Sequence, residues 1–163
     1  MKRNMKDWLK ECIESPVKKA MPVLSFPGTQ LIGHTVEEMV SDGNLQALCM
    51  EAIAKRYPTG AAFSLMDLSV EAEAFGSPVH YSPDEVPTVR EALIHDMEEA
   101  EALSIPKVGA GRTGACVEGI QKAVELITDR PVLAGIIGPY SLAGRLLDMT
   151  EIMILCYEQP ELV

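Results

Sequence analysis

No Cys-x-x-Cys pair occurs in this sequence; its four cysteines, Cys12, Cys49, Cys116 and Cys156, lie far apart. That spacing excludes a structural zinc site and a small disulfide scaffold, and leaves the thiols as small packed hydrophobes. His34, His80 and His95 are equally dispersed, with no pair at metal-ligand spacing. No apolar run reaches the roughly 20 residues that span a bilayer. The basic start, Met1 to Trp8, is not followed by the apolar core of a signal peptide. These absences fit a cytoplasmic protein without a membrane partner. Positive charge is scarce too: 14 Lys and Arg face 24 Asp and Glu, a net charge of −10. Phosphate backbones need clustered cations, so nucleic acid is excluded as a partner. Low-complexity segments and short internal repeats are also missing.

What is present suffices for a core. The chain has 163 residues, 47% of them hydrophobic, and 12 glycines. That is one domain's worth of sequence, or part of a larger one.

The stretch that draws attention is Met66-Asp67-Leu68-Ser69-Val70-Glu71-Ala72-Glu73-Ala74-Phe75-Gly76. It follows an apolar run from Gly60 that reads as a buried strand ending near Met66. In an extended segment Asp67, Ser69, Glu71 and Glu73 share one side. In a helix Asp67 and Glu71 stay neighbours while Glu73 swings away. Either way acids cluster just past a strand's end, where α/β folds keep their sites. No Lys or Arg occurs between Arg56 and Arg90. Burying carboxylates without a basic neighbour favours their neutral form, a common property of functional sites. Solvated loop acids are the plainer reading.

Along the chain, residues 5–19 predict an opening helix with Trp8, Leu9, Cys12 and Ile13 on one face. Residues 22–26 read as a short strand. Thr35-x-x-Glu38 is a capping box that starts a helix, interrupted at 41–44 and resumed to about Tyr57. Residues 60–66 form the next strand, and Val79-His80-Tyr81 a brief one. Thr88-x-x-Glu91 predicts a helix through about Leu103. Three glycines and Arg112 mark 106–114 as a loop, and Val117, Ile120, Val124 and Ile127 define an amphipathic helix. Residues 131–137 are continuously apolar, as parallel-sheet strands tend to be. Gly138-Pro139-Tyr140-Ser141 opens a last helix, with a break near Asp148-Met149-Thr150. The alternation argues parallel α/β with right-handed crossovers. Only about three main strands are present, too few for the eight of a barrel.

Three features resemble the N-terminal half of the uroporphyrinogen decarboxylase superfamily, a TIM (β/α)8 barrel family. They are Met21-Pro22-Val23, Asp67 with Val70-Glu71-Ala72-Glu73-Ala74-Phe75-Gly76, and Gly138-Pro139-Tyr140-Ser141-Leu142-Ala143. The resemblance spans nearly all of residues 1–163 but half of a typical member, which implies a truncated barrel. The decarboxylases carry two arginines in the first strand-loop. Pro27-Gly28-Thr29-Gln30-Leu31 stands there and has neither, although a tetrapyrrole polycarboxylate requires such cations. The run from Glu71 to Ala74 instead resembles the corrinoid-dependent methyltransferases, of the methylcobamide:coenzyme M type.

That branch implies zinc, held by a His-x-Cys pair and a later Cys in the second half of the barrel and therefore outside this chain. It also implies a corrinoid protein as methyl carrier and a small thiol such as coenzyme M as acceptor. This half would then build one wall of the pocket. Its candidate substrate-binding residues are Asp67, Glu71, Glu73, Tyr140 and Arg112, with Thr29 and His34 weaker, and no catalytic residue is assigned. Tyr140 stands at a helix N-terminus suited to an anion, unless Gly138-Pro139 is only a tight turn. Arg112 is either a substrate cation or the partner of a surface acid. Replacing Asp67 by alanine is expected to abolish activity with near-normal folding. The alternatives are a true decarboxylase, or a non-catalytic fragment or subunit whose strand edges another chain completes.

Overall fold

The computed structural model describes residues 3–161 and 163. The first helix, α1 (Met5–Glu14), starts where the Asn4 side chain accepts from the Lys6 N–H, and it stops short of Lys19. Pro16 is the reason: it drives Ser15 into extended backbone, with ψ at 128°. Trp8 and Cys12 are half-buried, whereas Leu9 and Ile13 face outward.

Residues 22–26 do not form a strand. Residues 25–28 turn instead, the Gly28 N–H donating to the Leu24 carbonyl at 2.9 Å. The turn leads into α2 (Thr29–Ile32). A side chain at Gly28 would place its Cβ 2.5 Å from Ile53 Cδ1, so the turn needs glycine to sit this close to the core. The capping box at Thr35 and Glu38 is present in both directions and opens α3 (Val36–Ser41). Asp42 ends that helix and caps α4 (Gly43–Arg56), which matches the interruption read from the sequence.

The strand β1 (Ala62–Phe63) pairs in parallel with β4 (Val132–Leu133), Ala62 opposite Val132 and Phe63 opposite Leu133. Both strands are far shorter than their apolar runs. After Leu133 the Gly135 N–H is taken by the Ser64 hydroxyl at 2.8 Å, so a side chain replaces the next rung of the ladder. Next after β1 comes α5 (Val70–Phe75). The short hairpin of β2 (Val79–His80) and β3 (Thr88–Val89) follows, antiparallel.

That hairpin overturns the helix expected from Thr88. Pairing with Val79–His80 takes Thr88 and Val89, and the Leu93 and Ile94 N–H groups donate to the Leu146 carbonyl at 2.7 and 3.0 Å. Helix α6 (Met97–Ala102) starts only after Asp96 offers a side-chain cap. Helix α7 (Thr113–Leu126) then packs along α4, burying Gly119 and Ala123 rather than Val117 and Val124, which stay exposed. Its seam is close because it is built from glycine: a Cβ on Gly43 would meet the Ala115 carbonyl oxygen at 2.7 Å.

Last come α8 (Pro139–Leu147) and α9 (Met149–Glu158), broken at Asp148 as expected. Asp148 holds φ at +100°, a strained value for a residue with a Cβ, and its carboxylate caps α9. The core lies in three clusters. One gathers Met39, Val40, Cys49 and Leu65, and a second lies between α4, β1 and α7. The third gathers Ala72, Ile94, Leu146, Ile152 and Leu155. Among the described residues no helix is long and apolar enough to cross a membrane.

All four cysteines are free. Burial pushes the Cys49 thiol up to about 11, and its Sγ donates to the Ser25 carbonyl at 3.3 Å. A thiol reagent near neutral pH is therefore expected to label exposed Cys156 rapidly, and Cys49 only when the chain unfolds. Mass mapping of labelled peptides checks this; equal rates would place Cys49 in contact with solvent.

Candidate functional site

The chain leaves β1 through Ser64 and Leu65 and reaches Asp67 before α5 begins. Asp67 therefore sits at the carboxyl end of a parallel strand, its side chain wholly buried. One oxygen, Oδ1, accepts from the Ser69 N–H at 2.9 Å and from the Ser69 hydroxyl at 2.7 Å. The other, Oδ2, accepts from Arg112 Nη1. Such a turn fixes the carboxylate before any ligand arrives.

Arg112 comes from the loop ahead of α7. Gly109 and Gly111, at φ of +86° and +53°, bend that loop so that it lies over Ala74 of α5. Besides Asp67, the guanidinium gives its Nε–H to Glu73 Oε2 at 2.5 Å and its Nη2–H to the Ser69 hydroxyl at 2.8 Å. Tyr81 closes the group: its hydroxyl donates to Glu73 Oε1 at 2.5 Å, and the Arg112 guanidinium lies 5.1 Å from its ring centre. Burial disfavours the charge on Arg112, but its hydrogen bonds and attraction to Asp67 and Glu73 outweigh that and raise its pKa. Tyr81 is pushed up to about 12, first by burial and then by the hydrogen bond to Glu73.

The sequence-predicted residues thus separate into two sets. Asp67, Glu73 and Arg112 meet in one buried network. Arg112 pairs with the buried Asp67 and the half-buried Glu73 rather than with an exposed acid, which corrects its reading as the partner of a surface acid. A helix does follow the strand, yet Glu73 does not swing away. Asp67 lies ahead of α5, so the i to i+4 relation with Glu71 does not apply, and Arg112 draws Glu73 to Asp67 instead. Arg112 also supplies the basic neighbour that the local sequence lacked.

Glu71 stands apart, half-buried, its Oε1 accepting from the Ile137 N–H at 3.5 Å. It therefore bridges the carboxyl ends of β1 and β4. Tyr140, 47% exposed in the first turn of α8, makes no hydrogen bond to these acids. Thr29 is buried and bonded to the Phe26 carbonyl, and His34 pairs with Glu38 on the surface. Cys116 lies beside the network; burial raises its pKa, and the charge of Arg112 opposes that rise. Sequence reasoning missed Tyr81. Its only signal was distance along the chain, eight residues from Glu73 across the turn at Gly76.

Among the described residues no three His, Cys, Asp or Glu side chains stand where they hold a metal ion together. The geometry here is a hydrogen-bonded floor of two carboxylates on one guanidinium, with a third carboxylate, Glu71, held at the strand ends by one long hydrogen bond.

A model of the family described as uroporphyrinogen decarboxylase (URO-D) matches residues 14–163. The chain belongs to this family. Among solved structures 21 chains match. One is a methyltransferase from Methanosarcina mazei, with a TM-score of 0.80 and 22% sequence identity, over 99% of this chain and 50% of that one. The chain therefore spans half the length of that protein, and the likeness establishes the fold. Family and likeness together imply a TIM barrel, of which β1, β4 and their helices form a part. The search of curated proteins returns no match.

Proposed function

We propose that this chain forms one wall of the pocket of a methyltransferase of the uroporphyrinogen decarboxylase family. The methyl group moves from a methylcorrinoid protein to a thiol such as coenzyme M. The observation that carries this reading is the state of Arg112. The described cation nearest the acidic stretch is engaged by Asp67, Glu73 and Ser69, so it is not available to a polycarboxylate substrate. A decarboxylase acting on a tetrapyrrole requires free cations at this mouth. The shape shared with a methyltransferase supports the same branch.

In the transfer, sulfur forms a bond to the methyl carbon while the cobalt–carbon bond breaks. The electron pair of that bond stays on cobalt, and the thiol proton leaves to solvent. Among the described residues no group fits a zinc centre, so no step rests on one here. What this chain contributes is position. Asp67, Ser69, Arg112, Glu73 and Tyr81 lock the loop after β1 to α5 and α7. Glu71, with one long hydrogen bond, is left to meet a polar group of the corrin or the acceptor.

Two measurements test this on the longest polypeptide that the gene encodes. Zinc content together with thiol-dependent demethylation of methylcob(III)alamin, followed by absorbance, is expected to be positive. Coproporphyrinogen formation from uroporphyrinogen, without demethylation, would establish the decarboxylase instead. Glu71→Gln is expected to lower kcat/KM roughly ten- to a hundredfold, the worth of one charge-assisted hydrogen bond. The thermal midpoint should stay within a degree or so, because Glu71 holds little of the fold. Unchanged kcat/KM would remove Glu71 from the pocket.

A further inference from the structure

A second concavity opens at the end of the strands opposite Asp67. Residues 58–60, just before β1, and Asp129 and Arg130, just before β4, form one side; α1 and the segment after it form the other. Its volume is about 440 Å³, within the roughly 300–1,000 Å³ usual for small-molecule sites. The amino-terminal face of such a barrel ordinarily serves stability. The charge here does not follow from that role.

Four cations and two acids line the cavity, in a chain whose net charge is −10. Arg130 is structural: it pairs with Asp129 at 2.7 Å and holds the Tyr57 and Thr59 carbonyls. Arg3, Lys18 and Lys19 differ. Among the described residues none of them lies within ion-pair distance of a carboxylate. Arg3 donates to the Asp129 carbonyl at 3.1 Å, and Lys18 to the Cys12 and Ile13 carbonyls at 2.9 and 2.8 Å. Those acceptors carry no formal charge, although the Cys12 and Ile13 carbonyls close the last turn of α1, and the four cations of the lining face only Glu11 and Asp129. Beside them Trp8, half-buried, and Met21 offer an apolar and aromatic wall. Low-dielectric walls around like charges concentrate anions.

We infer that this cavity binds a small organic phosphate, the phosphate on Arg3, Lys18 and Lys19 and a flat body against Trp8. Arg3 and Trp8 precede residue 14, where the family match begins, whereas Lys18 and Lys19 lie within it. The site does not depend on the methyl-transfer reading, and its test measures binding alone.

Trp8 is the single tryptophan of the chain and reports on the cavity directly. Adenosine monophosphate, titrated into the full chain with excitation at the red edge of the tryptophan band, is expected to change its emission saturably. Calorimetry of the same titration guards against a silent fluorophore. Adenosine and inorganic phosphate, titrated separately, are each expected to bind at least tenfold more weakly. Lys19→Glu and Arg3→Glu are each expected to weaken binding at least fivefold, with circular dichroism and melting unchanged. No saturable heat or emission change overturns the inference. So does adenosine binding as well as its phosphate, or both variants binding as tightly as the parent.

Discussion

Arg112→Ala is expected to destabilise the folded chain by about 3–5 kcal/mol, the usual loss when one member of a buried ion network is removed. Asp67 has no solvent contact, and Glu73 is three-quarters covered, so neither recovers full hydration when the guanidinium is gone. Ser69 and Tyr81 would also lose their place in the network. Urea denaturation followed by circular dichroism measures the loss. The triple variant Arg112→Met, Asp67→Asn, Glu73→Gln should recover a large part of it, because it removes the buried charges together. A loss below about 1 kcal/mol, the range of exposed ion pairs, would show that water reaches the network. The same contacts revise the expectation for Asp67→Ala. Near-normal folding is not expected, because that change takes the buried acceptor from Arg112 Nη1 and from the Ser69 N–H and hydroxyl. Glu71→Gln is therefore the better probe of function.

Ile152→Ala is expected to cost about 2–5 kcal/mol, the transfer energy of the deleted methyl groups plus the cavity left behind. Ile152 is wholly buried against Ala72, Ile94, Leu146 and Leu155. Because Ala72 lies between Glu71 and Glu73 on α5, this cluster also holds the acidic helix against α8 and α9. Met153, its neighbour, is 58% exposed, and Met153→Ala should stay within about 0.5 kcal/mol. Parallel chemical melts of the two variants check the contrast. Equal losses would mean that α9 packs on a different face.

Much of this fold was legible locally. The capping box at Thr35, the interruption at 41–44 and the break at Asp148 are short-range devices, and each appears where the sequence put it. Thr88-x-x-Glu91 carries the same signature and failed, because a β partner at Val79 and the Leu146 carbonyl competed for its backbone. Strand lengths were overestimated for a related reason. An apolar run reports burial, but Ser64 decides where the ladder between β1 and β4 stops. Val117 and Val124 show the limit of periodicity. Their spacing fits a helix, yet the close approach of Gly43 and Gly119 turns another face of α7 toward α4.

The sequence by itself determined the family: its short motifs resemble it, and the family model matches residues 14–163. It also singled out Asp67, Glu71 and Glu73 just past a strand's end, and left the role of Arg112 open. Only the tertiary structure decided how they divide. Arg112 stands 45 residues from Asp67 and 39 from Glu73, and no local pattern predicts a contact closed through a hairpin and two glycine turns. Once that contact forms, desolvation makes pairing obligatory for the wholly buried Asp67, draws Glu73 to the same guanidinium, and leaves Glu71 outside the network.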